Sequence, residues 1–252
     1  MSDKNWEEKS IILKDVFGLK GSPVAIKYSN TPAGNASKRR YRVCGAIPSS
    51  RSGEIINLSS ETCSCPGGIF HLGLGLPREG LEKFLVYGEK LFSSIAIARR
   101  MREAADKEAK PPYGLSKYVV FSPLEKTEFE PDLVLFLCNA EQACRLVTLL
   151  GFSGEAMPKA RLGGSLCWST ITYPLISGNI NVSLGDISAR RIEKYDPNEL
   201  IVSVPINKIP LILESIDHCI AGKAKPSKEF EEIIQKIEEG KASIEDLRDL
   251  FE

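Results

Sequence analysis

A mixed α+β (α/β) domain, a central sheet with helices packed on it, is predicted by three observations. Strand-length apolar runs such as Leu133-Val134-Leu135-Phe136-Leu137 lack alternation, as a strand covered on both faces requires. Amphipathic stretches at helical spacing, above all Lys90 to Ala109, are interleaved with them. Glycine and proline punctuate the joins. The chain has 252 residues, 42% of them hydrophobic, enough for a substantial core, which excludes disordered, collagen-like and mini-protein readings.

Taken in order, Trp6 to Leu19 is a helix with apolar Ile12, Leu13, Val16 and Phe17, ended by Gly18 and Gly21. Val24-Ala25-Ile26 is a short strand. Thr31 to Asn35 and the basic cluster Lys38, Arg39, Arg40, Arg42 form a solvated loop. Glu54 to Leu58 is a second strand. Pro66 fits the first position of a short helix carrying Ile69, Phe70 and Leu72, which makes Cys65 its N-cap. Lys90 to Ala109 keeps the stripe Leu91, Ile95, Ala98, Met101, Ala105, and Pro111 and Pro112 stop it.

Tyr118 to Phe121 and Leu133 to Leu137 are strands, followed by a helix from Glu141 to Leu150 closed by Gly151. An apolar stretch runs from Ser165 to Ile176. Asn181 to Leu184 and Leu200 to Val204 are further strands, and Asn207 to Ile220 is a helix. Arg190 and Arg191, read on a strand, point to opposite faces, so one at most can clamp an anion. Residues 1–222 form the main domain and 223–252 a helical extension. In the extension Phe230, Ile233, Ile234 and Ile237 make one stripe, Leu247, Leu250 and Phe251 another, and Ser243 with Asp246 a capping box. These two helices either close the core or serve a homodimer. A strand, thiol, short helix and glycine recur in Ile55 to Gly75 and Ala160 to Gly178, placing Cys65 and Cys167 at comparable points of a two-half pseudo-duplication.

Basic and acidic side chains balance at 33 each, which removes the global electrostatic argument for nucleic acid or an anionic membrane as partner. No apolar run is long enough for a membrane span, and the first eight residues lack a signal-peptide core. The expected address is the cytoplasm. A reducing compartment keeps thiols free, and seven cysteines cannot all pair internally. The Asn-x-Ser matches at Asn35, Asn57 and Asn181 then have no glycosylation meaning.

Phosphate loops of the Walker type, complete G-x-G-x-x-G turns, H-E-x-x-H and G-x-S-x-G are all absent from the sequence. Two histidines, His71 and His218, leave little room for general-base chemistry. His218 suits a helix C-terminus and His71 a packed or capping position, although His71 is also a possible substitute metal ligand. The strongest local feature is Cys63-Ser64-Cys65-Pro66-Gly67-Gly68, with Cys44 upstream and Cys167 far downstream. Two thiols one residue apart in a loop can face one soft metal. The following helix start is expected to lower thiol pKa values, and the glycines let backbone amides approach sulfur. Four thiolates are a standard set for an iron–sulfur cluster or structural zinc. Cys138, Cys144 and Cys219 read as apolar fillers. Arg161, Gly163, Gly164 and Ser165 approach a second helix start at Cys167, where backbone amides could face an anionic cofactor or ligand.

Pro23-Val24-Ala25-Ile26-Lys27, Cys44, the Cys63-x-Cys65-Pro66-Gly67-Gly68 segment with Gly73 and Leu74, Pro131 to Leu135, Gln142, Arg145 and Cys167 stand in the order of the DUF169 family, which the chain resembles from about residue 10 to about residue 220. The resemblance implies a cytoplasmic protein of archaeal or bacterial type, frequent in anaerobes. It implies no particular reaction, and it carries over only Cys44, Cys63, Cys65 and Cys167 as the family's cysteine pattern.

The leading expectation is therefore a thiolate site of these four cysteines holding an iron–sulfur cluster, with zinc as the alternative metal. A rival is a metal-free binding or sensor module for a small anionic or hydrophobic molecule. A third reading makes Cys65 the nucleophile of a thiol enzyme.

Overall fold

The computed structural model describes residues 5–76, 80–154 and 160–250, so residues 1–4, Pro77 and Phe251 of the sequence readings lie outside the described residues. Among the described residues six strands form one antiparallel sheet: β1 (Val24–Ser29), β2 (Ile56–Leu58), β3 (Tyr118–Pro123), β4 (Leu133–Cys138), β5 (Asn181–Ser183) and β6 (Leu200–Pro205), in the order β2-β3-β1-β4-β6-β5. The α+β expectation holds. All six residues of β4 are buried, which explains its unbroken apolar run.

Side-chain alternation sends Val24, Ile26, Leu133 and Leu135 to one core and Ala25, Val134, Phe136 and Val202 to the other. The second core is covered by α1 (Trp6–Phe17), then by α6 (Ala140–Gly151) and α9 (Ile209–Ser215) further along the chain. The first is covered by α2 (Val43–Arg51), α3 (Pro66–His71), a helix from 166 to 177 that ends in α7 (Tyr173–Ser177), and α8 (Ile187–Ile192). Beside this layer lie α4 (Leu81–Lys83), which runs on as a π-helix to Gly88, and α5 (Ile95–Glu108). The extension carries α10 (Lys228–Glu238) and α11 (Ile244–Asp249), whose Ser243–Asp246 capping box forms as expected.

Helix ends follow local chemistry. Gly18 takes the left-handed conformation (φ 61°) that closes α1. The predicted helix from Lys90 starts only at Ile95, because Lys90 itself has positive φ and the Ser94 hydroxyl caps Ile97 N–H. The helix expected over Asn207 to Ile220 shrinks to α9, since Pro210 lacks the N–H that an earlier α-helical turn needs. Arg190 and Arg191 lie on a helix rather than a strand, and Arg190 spends its guanidinium on the carbonyls of Leu184, Asp196, Pro197 and Glu199. Cys138 and Cys219 are buried, but α6 turns Cys144 to solvent.

The sheet register has an internal twofold. Ala25 pairs with Val134 at its centre, flanked by Val24 with Leu135 and Ile26 with Leu133. Val24 faces Pro123 as Leu133 faces Pro205, and both prolines lead into one turn of 3₁₀-helix, Leu124–Lys126 and Ile206–Lys208. Each half runs strand, helix, short edge strand, short helix, strand, with α4 and α5 added before β3 in the first half and α6 added after β4 in the second. In this correspondence the helix bearing Cys167 precedes β5 as α2 bearing Cys44 precedes β2. Cys167 therefore matches Cys44, not Cys65 as the sequence echo suggested. The second copy of the helix is three residues longer and contains a π-helical turn, Trp168–Thr172.

Candidate functional site

Around the pseudo-twofold, under the first helical layer, a cavity of about 40 Å³ is lined by Cys44, Cys65 and Cys167 together with Arg42, Asp186 and Glu89. Its walls come from residues more than 120 positions apart. Cys44 is the second residue of α2, and its carbonyl accepts a 2.7 Å hydrogen bond from the buried Tyr195 hydroxyl. Cys65 is the N-cap of α3, with Gly68 N–H donating to its Sγ at 3.4 Å. Proline after it sets the helix start, as the sequence predicts.

Gly68 is there for space. A Cβ on it would stand 2.6 Å from Val43 Cγ2 and 3.2 Å from Cys63 Sγ. Cys63 is buried behind this glycine, its thiol 3.6 Å from the Cys65 carbonyl, and it does not line the cavity. Cys167 is buried in the first core beside the π-helical turn.

The thiols are neutral in this setting. Burial pushes the Cys44, Cys65 and Cys167 pKa values up; the Glu193 carboxylate and then Cys65 add to the rise at Cys44, and Cys65, Cys44 and Asp186 add to it at Cys167. For Cys65 the Gly68 and Gly67 amides and Arg42 pull the other way, but desolvation outweighs them. The expected lowering by the helix start is thus overridden, which removes the physical basis for a Cys65 nucleophile at neutral pH. Arg42 shows the converse: burial lowers its pKa, yet Cys65, Cys44, Glu89 and Glu193 raise it overall. It pairs with Glu89 at 3.3 Å and stacks against Phe84. His71 is buried and held down to about 4 by desolvation and by Arg102, so it is a neutral wall.

Asp186 anchors the far side. Its Oδ2 accepts from Leu166 N–H at 3.0 Å and its Oδ1 from Ala189 N–H at 2.7 Å, so one carboxylate caps both the Cys167 helix and α8. Of the glycine-rich approach, Ser165 lines the cavity while Gly163 and Gly164 are exposed. Arg161 turns away to pair with Glu108 at 3.0 Å and to stack on Tyr173.

Among the described residues, no group of three or more His, Cys, Asp or Glu side chains is arranged to hold a metal ion. The donor types nevertheless suit a soft metal, because three of the converging groups are thiols. An orphaned group adds to this. The Tyr28 hydroxyl is buried without a hydrogen-bond partner among the described residues, and its pKa is raised by burial and then by Cys167, which places it within electrostatic reach of that sulfur. A donor kept dry without an acceptor is costly unless something arrives to accept from it.

A larger polar cavity of about 150 Å³ lies elsewhere, but its charges are satisfied internally, Lys20 by Asp196 at 3.2 Å and Arg51 by Glu199 at 2.6 Å. Gln142 and Arg145, part of the family pattern, act as structural ties: Gln142 donates to the Phe17 and Gly18 carbonyls and Arg145 to those of Ala221 and Gly222.

Arg42, Asp186 and Tyr28 were not singled out by sequence reasoning for this site. Arg42 is masked by its exposed basic neighbours. Asp186 is found only through its contacts, because its capping of both the Cys167 helix and α8 is what brings it to the thiols.

No helix among the described residues is long and apolar enough to cross a membrane. The "Uncharacterized protein MJ0308" of Methanocaldococcus jannaschii is 28% identical over 159 residues, covering 61% of this chain and 66% of that protein's length. No solved structure matches. The family model DUF169, "Uncharacterised ArCR", matches residues 12–215, and with the cysteine order described above the chain belongs to the DUF169 family.

Proposed function

We propose that this DUF169 protein binds a soft metal through thiolates at the cavity of Cys44, Cys65 and Cys167, as an iron–sulfur cluster or as zinc. The observation that carries this reading is the convergence of three buried thiols, from α2, the start of α3 and the Cys167 helix, on one small cavity. Cys63, buried directly behind Gly68, is the reserve thiol of the set. A single ion suits a cavity of about 40 Å³, whereas a cluster of several iron and sulfide atoms requires the cavity to widen. When bound, the metal supplies soft Lewis-acid or one-electron chemistry.

The protein's own contribution is to hold the donors dry and protonated until a cation displaces the protons. Metal binding is then coupled to proton release. Titration of metal-free protein with Zn²⁺ in weak buffer at pH 7.5 tests this: about two to three protons should appear per ion bound. Release of none, with Cys65→Ser and Cys167→Ser binding as tightly as the wild type, overturns the reading.

One observation favours a second reading. Because no three potential ligands among the described residues stand ready for an ion, the cavity also suits a small anion oriented by Arg42. Anion binding to metal-free protein that survives the cysteine substitutions and is lost in Arg42→Ala would select it.

A further inference from the structure

The two halves of the pseudo-twofold differ most between the short helix and the strand that follows it. There the second half has residues 193–199, whereas the first has residues 72–117, an insertion that carries α4, its π-helical continuation and α5. The insertion forms one wall of the thiol cavity, through Leu81, Phe84, Leu85 and Glu89. The thiols of Cys44, Cys65 and Cys167 belong to the first core, which both halves build.

This wall is lightly attached. α4, the π-helix and α5 bury one residue each, Leu81, Val86 and Ala98, and the three pack chiefly on one another. Arg102 ties them internally, to Glu82 at 3.1 Å and to Asp106 at 3.3 Å. The contacts to the body are largely polar. At one end the buried Ala109 carbonyl accepts from Trp168 Nε1 at 2.9 Å, Glu108 pairs with Arg161, and Arg102 and Lys110 stand over the Phe70 ring. At the other end Arg42 reaches Glu89 at 3.3 Å and stands over Phe84. Gly80 with φ 94° and the extended Ala109 bracket the unit and are its hinges. An element with few buried apolar contacts opens at a fraction of the cost of global unfolding.

We infer that residues 80–108 are a flap over the thiol cavity, latched by the Arg42–Glu89 pair, whose opening admits whatever the thiols bind. The inference concerns access and does not depend on whether the occupant is a metal ion or an anion. Lifting the flap exchanges Leu81, Phe84 and Leu85 for water. It also removes the carboxylate partner of Arg42 and leaves the guanidinium facing Cys44 and Cys65, so the thiols ionise more readily in the open form than in the closed one.

Thiol labelling of reduced, metal-free protein tests this. A small maleimide is applied at pH 7.5 over a series of low urea concentrations, and each cysteine is followed by peptide mass spectrometry. Cys138 and Cys219, buried in the second core on the other face of the sheet, report global opening. In the wild type Cys44, Cys65 and Cys167 should label at least tenfold faster than these two, with a much weaker urea dependence, because a flap exposes little surface. Glu89→Gln should raise all three cavity rates by one common factor of about ten and leave Cys138 and Cys219 unmoved. Cavity thiols that share the rates and urea dependence of Cys138 and Cys219 overturn the inference, since access then requires unfolding. An increase in Glu89→Gln confined to Cys65, whose thiol feels the Glu89 charge directly, also overturns it, since charge alone then accounts for the change.

Discussion

Metal-free protein should lose stability steeply in mild alkali, and the loss can be worked from the buried thiols. An ordinary thiol ionises near 9.0, but burial raises Cys44 and Cys167 far above that and pushes Cys138 up to about 12. A group whose folded pKa is raised contributes its full stability below the unfolded value, here below about pH 9, and loses it as pH climbs toward the folded one. At pH 10 each of these thiols is about nine-tenths ionised in the unfolded chain and neutral in the folded one, a cost of about 1.4 kcal/mol each and about 4 kcal/mol together. That is a large part of the roughly 5–15 kcal/mol typical of domain stability. Urea unfolding of reduced, metal-free protein at pH 7.5 and pH 10 measures it. Cys167→Ala should be less stable at neutral pH but less pH-dependent, by about 1.4 kcal/mol over the same interval. A wild-type stability unchanged between the two pH values would refute the reasoning, since it would mean the thiols ionise in the fold as they do in water.

The acid side has its own expectation: His71, held down to about 4, stays neutral in the fold while the unfolded side chain protonates below 6.5, so stability falls between these values and His71→Gln should flatten that limb of a urea-unfolding profile. Gly68→Ala, which forces a methyl to 2.6 Å from Val43, should cost about 1–3 kcal/mol in denaturant unfolding, and Gly68→Ala with Val43→Ala should recover part of it. Tyr28→Phe deletes an unpartnered buried hydroxyl, so the metal-free protein should gain about 1 kcal/mol, read as a higher urea midpoint; a lower midpoint would show that the hydroxyl is already satisfied.

Local chemistry was readable from the chain where one residue decides. Pro66 after Cys65 set the α3 start, Gly18 closed α1, Ser243 and Asp246 formed their box, and the unalternating run of β4 lay at the sheet centre. What the chain concealed depends on contacts between distant segments. Arg42 reads like Arg39 and Arg40 until Glu89 and the thiols are brought beside it. The helix-start argument for an acidic Cys65 is sound for an exposed helix, and it fails because desolvation, invisible in sequence, is the larger effect. Cys63 and Cys65 look equivalent as C-x-C, yet Gly68 separates them: one thiol faces the cavity and the other lies behind the glycine. In sequence the internal echo falls on Cys65 and Cys167, its most conspicuous residues, whereas the strand register makes Cys44 the counterpart of Cys167.

The most direct test of a thiolate–metal site is the elemental content of protein purified under strict exclusion of oxygen. Iron with acid-labile sulfide, or zinc without it, should accompany the wild type in stoichiometric amount and be lost together from Cys44→Ser, Cys65→Ser and Cys167→Ser, each checked for native circular dichroism. Wild-type protein that carries no transition metal, and takes up none when supplied with iron and sulfide or with zinc, would contradict the account.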